Sequence, residues 1–516
     1  MTDQRRPPPP AAHTIEGWRA AILLVTGLTL VRLVVLFTSP LELYPDEAQY
    51  WLWSRTLDFG YYSKPPMIAW AIWATTAIGG DAEPWVRLSA VLFQAAATLV
   101  VFAIGRRLYG DRAALAGAAL YALMPGVQLS ALVAATDAPL LFFLGLTILA
   151  YVALLEAEGR AALRLAAGVG AALGLAFLSK YAAVYFLVGV AVHLAVSGAA
   201  RAAWTPVRIG LALIAFAAIL APNVIWNATH GFATLHHTAA NAAWGGRQLF
   251  NFAELGEFTA SQFGVFGPIP LGALIAGVGL AVARRRLSRE DLLLLCFTLP
   301  PLLIVTGQAF ISRANANWSG AGYLAGAILV GAWLVRWRAK GWLIAAIGIQ
   351  AVVAAAFFAF VISPRLAEQT GIGNSFKRAK GWAETTDVAL RRAAVEPGLT
   401  AIAVNNRFLF YAMSYYGRDA LAGGAPPLRS WLLTGSPENQ AEASAALTPA
   451  EGGRVLAVAM EGNYRREMEG DFRQAGGLEI ASIWLDAKRK RRIELFVGEG
   501  FAPRPRDPET GRPVPR

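Results

Sequence analysis

Residues 44–66 read YPDEAQYWLWSRTLDFGYYSKPP, a short stretch holding two adjacent acids, an aromatic cluster and a lysine before paired prolines. A carboxylate can take the proton of an attacking hydroxyl, and a fixed cation can stabilise a departing phosphate. Asp46, Glu47 and Lys64 are therefore candidates for group-transfer chemistry. The same residues also fit a structural role. Asp46 and Glu47 can cap a helix, Lys64 can snorkel, and Trp51, Trp53, Tyr61 and Tyr62 can form an aromatic belt. A second stretch, THGFATLHHTAANAAWGGR, gathers His230, His236, His237 and Arg247. Its spacing matches no zinc pattern such as H-E-x-x-H, so it reads either as a surface loop or lid, or as a phosphate or acceptor contact made by His236 or His237.

The elements that position these residues are legible around them. Pro45 followed by two acids is a helix start. Over AQYWLWSRTL, Ala48, Trp51, Leu52 and Arg55 share one face, which predicts a short amphipathic helix suited to a membrane interface. Pro65 and Pro66 open a second apolar helix, PPMIAWAIWATTAIG, too short to cross comfortably. Two such helices, one starting at an acid and the other at a lysine, form a shallow polar pocket.

Beyond this loop the chain is built for hydrocarbon. Of 516 residues, 56% are hydrophobic and 16% charged, whereas soluble domains carry about 25% charged residues. Apolar runs near 18–39, 86–104, 113–132, 137–155, 162–179, 181–198, 206–226, 264–283, 291–311, 318–336 and 341–363 predict a polytopic α-helical membrane protein. That makes about eleven transmembrane helices, each near the ~20 residues a span needs. A net charge of +12 could mean nucleic acid, but the basic residues cluster in alternate short loops, as the positive-inside rule requires. Arg5, Arg6, Arg19, Arg106, Arg107, Arg112, Arg160, Arg164, Arg201, Arg208, Arg284, Arg285, Arg286, Arg289, Arg336, Arg338 and Lys340 fall on one side. Arg55, Lys64, Arg87, Lys180, Arg247 and Arg313 fall on the other. The N-terminus is thus expected in the cytoplasm, with the Asp46 loop outside and no nucleic-acid partner. The single cysteine, Cys296, allows no intrachain disulfide.

The expected domains are a disordered cytoplasmic tail (1–17), a transmembrane domain (18–363) with long outer loops at 40–85 and 227–263, and an outer α/β domain (364–501). A disordered tail (502–516) follows. In the α/β domain, LTAIAVNN, GRVLAVAM and EIASIWLDAKRKRRIELFVGEG read as strands, and 376–394 as an amphipathic helix.

The ordered set PDEAQYWLWSRTLDFGYYSKPPMIAWAIW, PWVRLSAVLF, ATDAPLLFF, GLAFLSKYAAVYF and NANWSGAGYLAGA resembles the bacterial branch of the protein O-mannosyltransferase family and its relatives that transfer aminoarabinose to lipid A. This is glycosyltransferase family 39 of the membrane-embedded C superfamily. The resemblance implies that Asp46 is the general base and Lys64 the phosphate-facing lysine, with Glu47 either supporting Asp46 or capping the helix. Some relatives carry a carboxylate before this lysine, where this chain has Ser63. Asp137 in TDAP begins a span, where an acid is costly unless paired, so it is a catalytic candidate. Lys180 could pair with Asp137 or the donor phosphate, or simply snorkel. Arg87 matches a family position and is assigned to anchoring its helix. Arg313 and Asn317 stand near where the family places headgroup-binding residues.

The expected activity is inverting transfer of one hexosyl or pentosyl unit. The donor is a polyprenyl-phosphate sugar, and the acceptor a lipid, an envelope glycan or a protein hydroxyl. It takes place at the periplasmic face of the cell inner membrane, among membrane lipids, with no metal or other cofactor. The alternative is a transporter or lipid flippase, which would favour polar midplane residues and internal repeats; neither is visible here.

Overall fold

The computed structural model describes residues 15–242, 250–284, 287–460, 462, 464–507 and 510–514. The expected N-terminal tail lies outside these up to residue 14, as do Arg247, Arg285 and Arg286. Residues 15–17 are already helical.

Among the described residues, eight helices are long and apolar enough to span a membrane. They are Ile15–Thr38, Glu83–Tyr109, Asp137–Leu154, Gly159–Ser179, Pro206–Thr229, Arg289–Ile311, Ala316–Arg336 and Lys340–Ile362. Two bent pairs bring the number to 10 if each is one span: Asp111–Leu123 with Pro125–Leu132, at 57°, and Phe252–Val265 with Pro268–Arg284, at 111°. The run expected at 181–198 is a shorter apolar helix, Tyr181–Val196, so the expected eleven becomes eight to ten. The chain divides into two compact units, one of Met1–Phe37, Lys64–Ala71 and Arg87–Phe358, the other of Thr38–Ser63, Ile72–Val86 and Ala359–Arg516. The first outer loop therefore belongs largely with the C-terminal region.

In the first unit, small residues let helices approach closely, as dispersion packing in lipid favours. A Cβ on Gly331 would stand 2.4 Å from the Gly117 nitrogen, and one on Gly117 would stand 2.8 Å from the Ile328 Cα. The break between Asp111–Leu123 and Pro125–Leu132 follows from Pro125, which has no N–H and clashes with the preceding turn. A freed carbonyl inside hydrocarbon needs another donor. Buried Arg32 supplies it: its Nη2 donates to the Ala122 carbonyl at 2.8 Å, and Nε and Nη2 donate to Gln128 Oε1 at 3.2 and 3.1 Å.

Two polar clusters mark opposite ends of this helix bundle. At one end Asp291 accepts hydrogen bonds from Tyr109, Trp333 and both terminal nitrogens of Arg336. Arg106, Arg107 and Arg289 lie at helix ends on that side. Asp137, Lys180 and Asn317 lie at the other end.

The second unit is built on a six-stranded sheet. Its strands are β1 (Ala401–Val404), β2 (Leu428–Ser430), β3 (Arg454–Met460), β4 (Phe472–Ala475), β5 (Glu479–Trp484) and β6 (Lys490–Phe501). Strand order is β2-β1-β3-β6-β4. β1 runs parallel to β2 and β3, and β6 runs antiparallel to β3, β4 and β5. β1 is buried throughout, as a short central parallel strand should be. Trp431, Met468, Phe472, Phe496 and Phe501 form its core.

Two expectations are corrected here. The helix expected over 376–394 begins only at Trp382, because Gly381 adopts φ 72° and residues 373–379 form a tighter 3-10 helix. Residues 502–507, expected as part of a disordered tail, are held by Asp471. Its buried carboxylate accepts from the Arg504 backbone and side chain, from Arg506 and from Trp431. Donors from three residues on one buried acid fix a segment whose composition alone reads as unstructured.

Candidate active site

The helix Pro45–Ser54 begins as its sequence predicts. Pro45 occupies the first turn, and the buried Glu47 carboxylate accepts the Tyr44 N–H at 2.9 Å. Glu47 thus satisfies one of the donors a helix start leaves open. Asp46 sits beside this cap with its side chain 57% exposed. Of the two adjacent acids, it is the one open to a substrate.

Asp46 is not alone. Arg407 starts the Arg407–Tyr416 helix, which Asn406 caps by accepting the Phe408 N–H at 2.8 Å. Arg407 Nη1 stands 3.2 Å from Asp46 Oδ1 and donates to Gln49 Oε1 at 2.9 Å. Buried Gln49 in turn donates to the Ser63 hydroxyl at 3.4 Å. This chain has no carboxylate before Lys64; the hydroxyl there closes a polar relay instead. Trp51 meets Tyr415 edge to face with ring centres 4.9 Å apart, and the Tyr416 hydroxyl accepts the Leu43 N–H at 2.8 Å. Burial drives the Tyr416 phenol far above its usual range, so it stays neutral. Trp53 and Tyr61 stack at 4.6 Å, and burial pushes the Tyr61 phenol up to about 12. Tyr62 donates its hydroxyl to the Pro437 carbonyl at 2.7 Å. These rings, which could have formed a lipid-facing belt, pack largely against protein.

In the first unit, Lys180 Nζ lies 2.9 Å from Asp137 Oδ1, and Asn317 Nδ2 donates to Asp137 Oδ2 at 3.2 Å. Asp137 opens one span, Lys180 ends the Gly159–Ser179 span, and Asn317 opens a third, so one end of three helices is joined by one carboxylate. Lys64, half-buried, precedes the two prolines from which Met67–Gly79 starts. Arg87 is buried in its helix.

The remaining candidates also belong to the first unit. Arg313 is exposed in the segment joining Arg289–Ile311 to Ala316–Arg336. His236 is exposed and His237 half-buried on the Ala233–Ala242 helix. His230 stacks on Trp226 with ring centres 4.1 Å apart, a structural contact. Among the described residues no three His, Cys, Asp or Glu side chains are grouped to hold a metal ion. Sequence reasoning missed Arg407. Asn406 signals a helix start there, but nothing local announces a partner in the first loop.

Residues 63–226 match the family described as dolichyl-phosphate-mannose-protein mannosyltransferase. The lipid A galacturonosyltransferase RgtD of Rhizobium johnstonii is 36% identical over 449 residues, covering 85% of this chain and 90% of the relative. The fold is that of ArnT from Cupriavidus metallidurans. Its apo structure gives a TM-score of 0.63 at 16% identity, covering 93% of this chain and 98% of ArnT. The form bound to undecaprenyl phosphate gives 0.62 at 18%, covering 94% and 98%. Spans and matches define a multi-pass membrane glycosyltransferase. The chain belongs to glycosyltransferase family 39, the family its motifs resemble.

Proposed function

We propose that this protein moves one sugar from a polyprenyl-phosphate donor to a hydroxyl of lipid A at the periplasmic face of the inner membrane, with inversion at the anomeric carbon. The observation that carries this reading is Asp46, an exposed carboxylate fixed at a helix start in the family's acid position. Asp46 takes the acceptor hydroxyl proton as that oxygen attacks the anomeric carbon. The bond from that carbon to the phosphate oxygen breaks, and its electron pair leaves with the polyprenyl phosphate. Lys64 stabilises the charge that develops on the phosphate. Lys180, oriented by Asp137, and Asn317, Arg313, His236 and His237 are further candidates to hold the headgroup.

Three observations support the details. RgtD, named for galacturonosyl transfer to lipid A, is similar over most of both chains, which favours a hexuronosyl donor and a lipid A acceptor. ArnT, which shares the fold, has been captured with undecaprenyl phosphate. The basic residues at the Asp291 end favour that end as cytoplasmic, leaving Asp137 and Lys180 outside. Transfer from polyprenyl-phosphate galacturonic acid to lipid A in proteoliposomes tests the whole reading. Donor consumption with label appearing in lipid A supports it; an intact donor with a competent acceptor refutes it.

A further inference from the structure

The contacts of Arg407 leave half of its guanidinium open. One terminal nitrogen, Nη1, serves both Asp46 and Gln49. Among the described residues Nη2 and Nε have no hydrogen-bond partner. The group lies over the Phe408 ring at 4.7 Å and keeps 38% of its side chain exposed. An arginine held on one nitrogen, with its guanidinium over an aromatic ring, presents its remaining N–H pair as a two-pronged donor. That geometry matches a planar carboxylate. It also adjoins the exposed acid that the reading above makes the general base, so whatever binds there lies within reach of the reacting carbon.

We infer that Arg407 is a specificity-determining residue that recognises the carboxylate of a uronic-acid sugar on the donor. This inference rests on the proposed function of Asp46. A neutral sugar with a hydroxymethyl group at the same carbon offers no anion and leaves the cation to Asp46 alone. An incoming carboxylate shares the cation, loosening the grip of Arg407 on Asp46 Oδ1 so that this oxygen can accept the acceptor's proton. Recognition of the charged sugar is thereby tied to turnover. The C-terminal unit gains a role as well, because the residue that reads the sugar is supplied by its Arg407–Tyr416 helix.

The test compares polyprenyl-phosphate donors carrying galacturonic acid or galactose, which differ only in the carboxylate, with parent, Arg407→Ala, Arg407→Lys and Asp46→Asn proteins in lipid A proteoliposomes. The parent is expected to favour the uronosyl donor by on the order of 10²-fold or more in kcat/KM. Arg407→Ala should bring the two donors to within a few-fold of each other, with uronosyl transfer falling far more than galactosyl transfer. Arg407→Lys keeps the charge without the fork, and serves should the alanine variant not fold; it should retain only part of the preference. A parent that favours galactose, or folded Arg407 variants that keep the full preference, overturns the inference. Failure of the underlying reading looks different: Asp46→Asn would then transfer as fast as the parent, whatever Arg407 does.

Discussion

Lys180 Nζ lies 2.9 Å from Asp137 Oδ1, although 43 residues separate the two in sequence, and both side chains are 21% exposed. At the end of a span, each charge offsets the desolvation of the other. Lys180→Met leaves the carboxylate with only Asn317, and is expected to lower stability by about 1–3 kcal/mol. Lys180→Met combined with Asp137→Leu should recover part of that loss. Thermal unfolding in detergent of the two single variants and the pair checks this; strictly additive losses would show that the ion pair does not couple the helices.

Arg32 supports the broken span at Met124–Pro125. Arg32→Met removes the donor to the Ala122 carbonyl and to Gln128 inside the apolar bundle. Gln128 still reaches that carbonyl, so the expected loss is about 2–4 kcal/mol rather than complete unfolding. Arg32→Lys should recover little, since an ammonium cannot span both acceptors in the guanidinium's planar geometry. The melting temperatures of the two variants decide it.

The elements set by local pattern were legible in the sequence, and those set by distant partners were not. Long apolar runs announced most spans, and Pro45-Asp46-Glu47 announced its helix. The need to pair an intramembrane acid pointed to Asp137 with Lys180. The run at 113–132 looked continuous because the residues flanking Pro125 stay apolar, although the proline forces a bend. Strands β2 and β4, with 3 and 4 residues, are too short to display an alternation. Arg407 and the arginines around Asp471 sit in polar sequence with no period to mark them; only the folded chain shows which acid each one meets.

The Gly117–Gly331 contact sets how closely two helices approach. Gly331→Ala places a methyl against the Gly117 backbone and is expected to cost about 1–3 kcal/mol through forced separation. Gly348→Ala, on a helix where an added Cβ meets nothing within 4 Å, should be neutral or stabilising by up to about 1 kcal/mol. Equal effects at the two sites would contradict the packing account.

Asp471 makes the second unit sensitive to acid. Burial pushes its carboxyl up, but hydrogen bonds from Arg506, the Arg504 backbone, Trp431 and the Arg504 side chain together outweigh it and hold it below its ordinary value of 3.8. A depressed carboxyl stabilises the fold above the unfolded value and ceases to do so as pH falls through the folded one. Asp471→Asn should therefore cost roughly 3 kcal/mol at neutral pH and free residues 502–507 to proteolysis. The gap between parent and variant should shrink below about pH 4, as the parent loses the same charge. A gap that stays constant into acid would show that the charge is not what holds the tail.

The central claim is that Asp46 is the base of a sugar-transfer reaction, and one measurement tests it directly. Single-turnover transfer from polyprenyl-phosphate galacturonic acid to lipid A is followed for the parent and for Asp46→Asn, with donor binding measured on both. The account predicts that the variant folds and binds donor within a few-fold of the parent, but transfers at least about 10²-fold more slowly. A variant that transfers at the parental rate would contradict it.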